Sequence, residues 1–464
     1  VPAGSVRGAC HGRIRDYRDP RWQAEFRYRD RVSRQVNGYN PASAPPSTGT
    51  PAVIPAETLE HAGRRFGTPL YVYLAEPIRE RFRTLARAVE GRFGISYAVK
   101  ANPNVGLLRA IRGLPTMLDC SSIAELERGL QAGYAAAQMS FSGPAKRPFE
   151  LERAVAAGCG ELVAESEREL REIDAIAGRQ GRRQAVLLRI NPRKQPAQFG
   201  VSMAGRPSAF GIDEEVADAA VVLARTLPNL ALAGLHAYSA TNSLSIDAID
   251  DNVGEMAGIF TRLARTHGFA PQSLVFGSGF GIPYQDDQSP LDLAALAPRL
   301  NARIDALRGD PLLAGARCTL EMGRWLVGPC GYLLTAVVGL KHSRGVDIAL
   351  LDAGFNNHLA AAGMMGTVIR RNWSFSVLGG AARALRSYTL VGPLCTTIDQ
   401  LASKIELPEL RVGDRLAIAA SGAYGLTASP TRFISHPEPR EVLVEADGSL
   451  HEVTESRLNA PASP

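Results

Sequence analysis

Long apolar runs are missing from this 464-residue chain, in which no continuously apolar stretch approaches the roughly 18 to 20 residues that a membrane helix requires. No segment is therefore expected to span a bilayer. Cysteine is scarce as well: Cys10, Cys120, Cys159, Cys318, Cys330 and Cys395 are the whole complement, and none falls in a CxxC or His-Cys cluster. Neither a zinc site nor a disulfide framework is signalled, no metal is expected, and a reducing cytoplasmic setting fits. The opening residues VPAGS lead into no apolar h-region, so a secretory signal is not expected. Rossmann GxGxxG spacing, a Walker lysine and any repeat of solenoid period are also missing, which argues against a dinucleotide fingerprint and a repeat array.

Surplus charge is nearly absent from the body of the chain. The formal charge is +6, but residues 1 to 40 hold nine Arg against three Asp and one Glu and so carry +5 of it. No basic, aromatic-interleaved motif follows this segment, and nucleic acid is rejected as the main partner. At 45% hydrophobic and 21% charged, the composition is that of a globular protein, and the length points to two or three domains.

Residues 35 to 55, rich in Pro, Ser, Gly and Thr, read as an irregular linker that closes a basic extension over 1–55. Short apolar runs then alternate with helical patterns, which is the signature of βα units around a parallel sheet. Candidate strands lie near 95 to 99, 116 to 120, 138 to 142, 161 to 165, 185 to 191, 232 to 238, 273 to 277 and 317 to 321. Eight such strands predict an α/β fold, a (β/α)8 TIM-type barrel over 56–325. After residue 325 the texture turns β-rich, predicting a C-terminal all-β domain over 326–455 to which the segment near 69 to 74 adds a strand, with a tail at 456–464.

Chemistry in such a barrel gathers where strands end. Polar or glycine-rich groups sit at these ends: Lys100, Asp119, Ser142, Glu165, Asn191, His236 with Tyr238, the run from Gly277 to Gly281, and Glu321. A Lys at a barrel mouth can be desolvated enough to form a Schiff base with a carbonyl cofactor, although a lone strand-end Lys is more often simply solvated. In FGSGFGIPY, Gly277, Ser278, Gly279 and Gly281 follow a strand directly, where missing side chains let backbone N–H groups approach a phosphate; an ordinary tight loop is the alternative. EMGRWLVG offers Glu321 for a pyridinium nitrogen and Arg324 for a phosphate, with a surface ion pair as the bland reading.

Together these are the parts for pyridoxal 5'-phosphate, and the chain resembles the fold-type III decarboxylases of the alanine-racemase-like barrel group, which includes diaminopimelate and ornithine decarboxylases. YAVKAN, LDCSSIAELE, SFSGPAK, GSGFGIPY, EMGRWLVG, DAGFNN, GPLCTTID and SGAYG follow one another in that family's order, from about Thr68 to Val444. The resemblance implies that Lys100 carries the cofactor, that Gly279 and its neighbours, Gly323 and Arg324 with them, hold its phosphate, and that Glu321 pairs with the ring nitrogen. It implies a homodimer with shared active sites, in which Cys395, as proton donor, and Tyr424, near the phosphate, arrive from the partner subunit. Where the family has an HxHxGS-like strand end, this chain reads LHAYSATN, which puts Tyr238 at the ring-stacking position and Thr241 at the phosphate-binding serine; His236 is read as a core histidine.

The departures bear on the substrate. Diaminopimelate decarboxylases carry an Arg-Pro after the DAGMN motif and an acid after the catalytic Cys, whereas this chain has Ala360, Ala361 and Thr396. Asn356, His358, Thr396 and Asp399 are the candidate substrate-binding residues. The motif set is most similar to a subgroup that includes the butirosin-pathway decarboxylase of a glutamyl group on an acyl carrier protein. An amino-acid substrate is implied, free or presented on an acyl or peptidyl carrier protein, in a specialised biosynthetic pathway, with Arg370 and Arg371 as candidates to meet the carrier. Free diaminopimelate or another diamino acid, racemisation and a non-catalytic family member are the alternatives.

Overall fold

The computed structural model describes residues 54–194, 197–202, 204–364, 371–380 and 382–455. The basic extension up to residue 53, Arg370 and the tail at 456–464 lie outside the described residues.

Among the described residues, eight parallel strands follow one another in chain order: Gly94–Ala98, Met117–Cys120, Met139–Phe141, Glu161–Ala164, Gln184–Asn191, Leu230–Ala237, Ser273–Gly277 and Arg317–Met322. The ring closes where the last strand meets the first, with Thr319 opposite Gly94. Each strand lies within about two residues of its expected place, because apolar side chains face both the barrel interior and the surrounding helices and leave near-continuous apolar runs in the sequence. The helices cover the outside through single faces. Helix Ile246–His267, for example, buries Ile249, Val253, Met256, Phe260 and Leu263, and Phe260 meets the strand residue Phe276 edge-on at 5.0 Å.

Two helix starts also brace strand ends. Ser122 and Ser166 each accept from the backbone N–H three residues on, and the carboxylates of Glu125 and Glu169 reach back to the N–H groups of Ser121 and Glu165. These serine caps with a following glutamate fix the backbone at the mouth of the barrel.

The second sheet is mostly antiparallel and is built from strands between Gly331–Ser343 and Leu450–Glu452. Strand Leu70–Leu74 precedes the barrel in sequence but inserts here, antiparallel to Gly331–Ser343 and parallel to Arg440–Val444, with all five side chains buried. This sheet region is tied to the barrel mouth. The Tyr424 N–H donates to the Ala101 carbonyl at 2.8 Å, and the Asn102 amide donates to the Gly422 carbonyl at 3.1 Å. Among the described residues no helix is long and apolar enough to cross a membrane.

Candidate active site

Lys100 lies one short turn beyond strand Gly94–Ala98, and its Nζ is 3.5 Å from Glu321 Oε1 and 3.6 Å from Asp119 Oδ2. Both carboxylates are 3% exposed, whereas the Lys100 side chain keeps 38% of its surface open to the cleft. Burial works against the Lys100 ammonium, but the two carboxylates outweigh it and raise its pKa. The carboxylates move in opposite directions. Burial, with the nearby Glu321 charge, pushes Asp119 up to about 8, whereas Glu321, against the same burial, is held below its ordinary range by Lys100 and His236.

Lys100, Glu321, Tyr238 and Thr241 line one face of a cavity of about 310 Å³, which Ser278, Gly279, Gly323, Arg324 and Tyr424 complete. The Lys100 ammonium sits 5.6 Å from the Tyr238 ring centroid. Gly277 is required by close approach, since a Cβ there would lie 2.4 Å from the Tyr238 ring; Gly279 has φ +66°, a left-handed conformation that glycine adopts freely. Gly281 donates its N–H to the Ser243 carbonyl, and the Ser278 hydroxyl is spent on the Glu321 carbonyl at 2.9 Å, so Ser278 contributes backbone and shape.

Arg324 is held from two sides. Its guanidinium lies 4.8 Å from the Tyr424 ring centroid and 5.6 Å from that of Tyr284, and it donates to the Tyr284 hydroxyl. Tyr284 stacks on Trp373 at 4.4 Å, which ties this cation to the second sheet region. Tyr424 itself has φ +54°, unusual for a non-glycine residue.

The residues present fit pyridoxal phosphate. The Arg324 Nε and Asp119 Oδ2 are buried without a hydrogen-bond partner among the described residues, which leaves polar capacity aimed at this region. Beside them stand a glycine loop free of side chains, an amine and a second carboxylate. The donor set matches a phosphate, a pyridine nitrogen and an aldehyde.

Several expectations are corrected by where the residues fall. Tyr424 lines the pocket of its own chain's Lys100, because the hydrogen bond from its N–H to Ala101 joins the two within one subunit; it does not have to come from a partner. Asp399 is buried, and its two oxygens accept the N–H groups of Phe355 and Leu394, both at 2.8 Å. His358 is buried with Nε2 against the Ser421 hydroxyl and Nδ1 accepting from the Ala361 N–H, and burial lowers its pKa to about 3. Both residues hold loop backbone in place, so the expectation that they bind substrate is not carried forward. Asn356 is fully buried with both amide atoms unpartnered among the described residues, Thr396 is half-buried, and Cys395 is exposed and does not line the Lys100 pocket. Arg371 pairs with Asp287 at 2.5 Å.

Two further contributors were missed. His236 Nε2 is 2.8 Å from Glu321 Oε2, and Tyr284 supports Arg324. Tyr284 could have been found from its place in GSGFGIPY, whereas nothing local marks the partner of His236.

A barrel with a strand-end Lys facing a buried carboxylate, closed by a glycine loop and a half-buried Arg, defines a pyridoxal-phosphate enzyme. The model of the pyridoxal-dependent decarboxylase pyridoxal binding domain matches residues 75–328. Over 384 residues the chain is 31% identical to the L-glutamyl-[BtrI acyl-carrier protein] decarboxylase of Niallia circulans, covering 82% of this chain and 89% of that one. It is 33% identical over 396 residues to the diaminopimelate decarboxylase of Pseudomonas fluorescens, covering 84% and 90%. The crystal structure of diaminopimelate decarboxylase from Helicobacter pylori complexed with L-lysine superposes with a TM-score of 0.77 at 26% identity, covering 86% and 96%. This chain belongs to the pyridoxal-dependent decarboxylases, the fold-type III carboxy-lyases.

Proposed function

We propose that the substrate of this decarboxylase is an α-amino acid whose far end is neutral or masked, with a glutamyl group carried on an acyl carrier protein as the leading case. The observation that carries this reading is the loss of charge at two of three positions. Half-buried Ala360, buried Ala361 and half-buried Thr396 stand where diaminopimelate decarboxylases keep an Arg-Pro and an acid. Burying a distal carboxylate or ammonium without its partner costs about 3 to 5 kcal/mol, more than a hundredfold in binding. The 31% identity to a glutamyl carrier-protein decarboxylase supports the same reading. Free diaminopimelate is the second reading, favoured by the 33% identity to a diaminopimelate enzyme.

When bound, pyridoxal phosphate supplies an electron sink for the pair of electrons left as CO2 departs. In this reading Lys100 carries the cofactor, Tyr238 covers one ring face, and Glu321 keeps the proton at the ring nitrogen. Thr241, Arg324, Tyr424 and the backbone of Gly279 and Gly323 bind and orient the phosphate, with Gly277 and Gly281 shaping the loop. The exposed Cys395 thiol serves the site of a second copy, returning a proton to the α-carbon, which makes the working enzyme a homodimer of barrel (56–325) and β-domain (326–455) in the cytoplasm.

The test is turnover of glutamyl and other aminoacyl groups on a carrier protein, measured as CO2 release beside free glutamate, lysine, ornithine and diaminopimelate. Carrier-bound or neutral-ended substrates should lead by more than tenfold in kcat/KM, a gap of about 1.4 kcal/mol. Efficient turnover of free diaminopimelate, lysine or ornithine overturns the reading.

A further inference from the structure

We infer that His236 is a positioning residue for the reaction: its Nε2–H holds Glu321 as an oriented, ionised acceptor for the cofactor's ring nitrogen. The inference rests on the reading of Glu321 given above.

His236 projects from strand Leu230–Ala237 between Arg189 and Val275 of the neighbouring strands and is 2% exposed. Two residues on, just past the end of the strand, Tyr238 lines the cofactor cavity. His236 Nε2 lies 2.8 Å from Glu321 Oε2, while the other oxygen of Glu321 faces Lys100. His236 Nδ1 is buried with no partner among the described residues. The partner is a carboxylate oxygen, which accepts, so the hydrogen of this contact lies on Nε2. His236 therefore donates to Glu321.

The site needs such a donor because it holds two buried carboxylates and only one ammonium between them. A buried carboxylate without support picks up a proton, and a protonated Glu321 no longer accepts from a ring N–H. The groups favouring ionised Glu321 are Lys100, His236 and Arg189, against the like charge of Asp119. Arg189 is itself committed to Glu165 at 3.0 Å, and Lys100 is shared with Asp119. His236 gives Glu321 Oε2 a donor where Asp119 Oδ2 has none, the Ser142 hydroxyl at 2.8 Å serving only Asp119 Oδ1.

The experiment uses holoenzyme loaded with cofactor labelled with 15N at the ring nitrogen, and compares the parent with His236→Leu, His236→Gln, His236→Asn and Glu321→Gln. The parent should show a protonated-ring shift, and Glu321→Gln should move it toward the neutral value. His236→Leu should move it the same way and lower kcat roughly 10- to 100-fold, as loss of an orienting partner does. KM should stay within about threefold, since the role is not substrate binding. His236→Gln, whose amide reaches the Nε2 position, should recover most of the parent shift and kcat, whereas the shorter Asn should not. Should the Leu variant fail to fold, the Gln and Asn pair decides the question. A parent-like shift and kcat in His236→Leu, or equal behaviour of Gln and Asn, overturns the role of His236 while a displaced shift in Glu321→Gln leaves the reading of Glu321 standing. An unmoved shift in Glu321→Gln overturns both.

Discussion

Gly279→Ala tests the cofactor cradle with one methyl group. Gly279 has φ +66°, and a Cβ there would stand 2.6 Å from the Phe199 ring and 2.9 Å from the Ala240 carbonyl. A left-handed backbone costs an L-residue about 1 to 2 kcal/mol. The Phe199 ring can turn aside, but the Ala240 carbonyl belongs to a backbone segment paired with Ser202 and cannot, so overpacking adds about 1 to 2 kcal/mol more. The loop also loses register at the Gly279 carbonyl, which accepts the Ser243 N–H at 3.0 Å. A total of about 2 to 4 kcal/mol corresponds to roughly 30- to 1,000-fold in apparent cofactor Kd if it falls on binding. The assay is absorbance titration of apoenzyme with pyridoxal phosphate, with thermal unfolding alongside to register any share that falls on stability. Gly315→Ala is the control, because its Cβ would meet nothing within 4 Å. Cofactor binding within about threefold of the parent together with an unchanged Tm would refute the reasoning.

Three other outcomes follow from particular contacts. Mixing Lys100→Ala with Cys395→Ala subunits should restore activity, whereas mixing Lys100→Ala with Tyr424→Ala should not, because Tyr424 shares a pocket with its own Lys100; recovery in the second mixture places Tyr424 in the partner's site. Tyr284→Phe removes the hydroxyl that accepts from Arg324 but keeps the stack on Trp373, so cofactor affinity should fall by about 1.5 to 3 kcal/mol with little change in Tm; unchanged affinity removes Tyr284 from the phosphate end. Burial pushes Glu441 up to about 7 from 4.5, so the native state keeps a proton that the unfolded chain has released, and stability is lost as pH rises from 4.5 through 7. The ceiling is about 3 kcal/mol; denaturant unfolding at pH 5 and pH 8 should show a drop in the parent that Glu441→Gln lacks, and equal slopes would sink the assignment.

The barrel was legible because its strands are apolar on both faces, and the helices between them carry single apolar stripes. Strand ends then nominate residues without knowledge of which strands touch. Lys100 and Glu321, 221 positions apart, meet because the last strand closes on the first, a fact contained in the number of strands and not in either motif. The motif order added the assignment to a family, which the glycine pattern alone was too weak to carry.

What stayed hidden are relations that have no local periodicity. His236 reads as a core histidine because its partner is 85 residues away and one strand removed, and burial alone does not distinguish a satisfied side chain from one that supports an acid. Asp399 and His358 failed in the opposite sense: polar residues in a motif look available for substrate until their backbone partners are known. Tyr424 lies beyond the barrel in sequence, yet membership of the second sheet region does not make it the partner's. Strand Leu70–Leu74 shows why that step does not hold: by crossing from the barrel side into the second sheet it binds the two into one subunit, and the hydrogen bond from Tyr424 to Ala101 follows from that seam. In the proposed site, the ring end is built by the barrel, from Glu321, His236 and Lys100. The phosphate end draws on both sheets, through Arg324 set between Tyr284 and Tyr424. The two ends are joined, since the Ser278 hydroxyl of the glycine loop donates to the Glu321 carbonyl at 2.9 Å and the Tyr424 N–H donates to the Ala101 carbonyl beside Lys100 at 2.8 Å, so a change at one end is expected to reach the other.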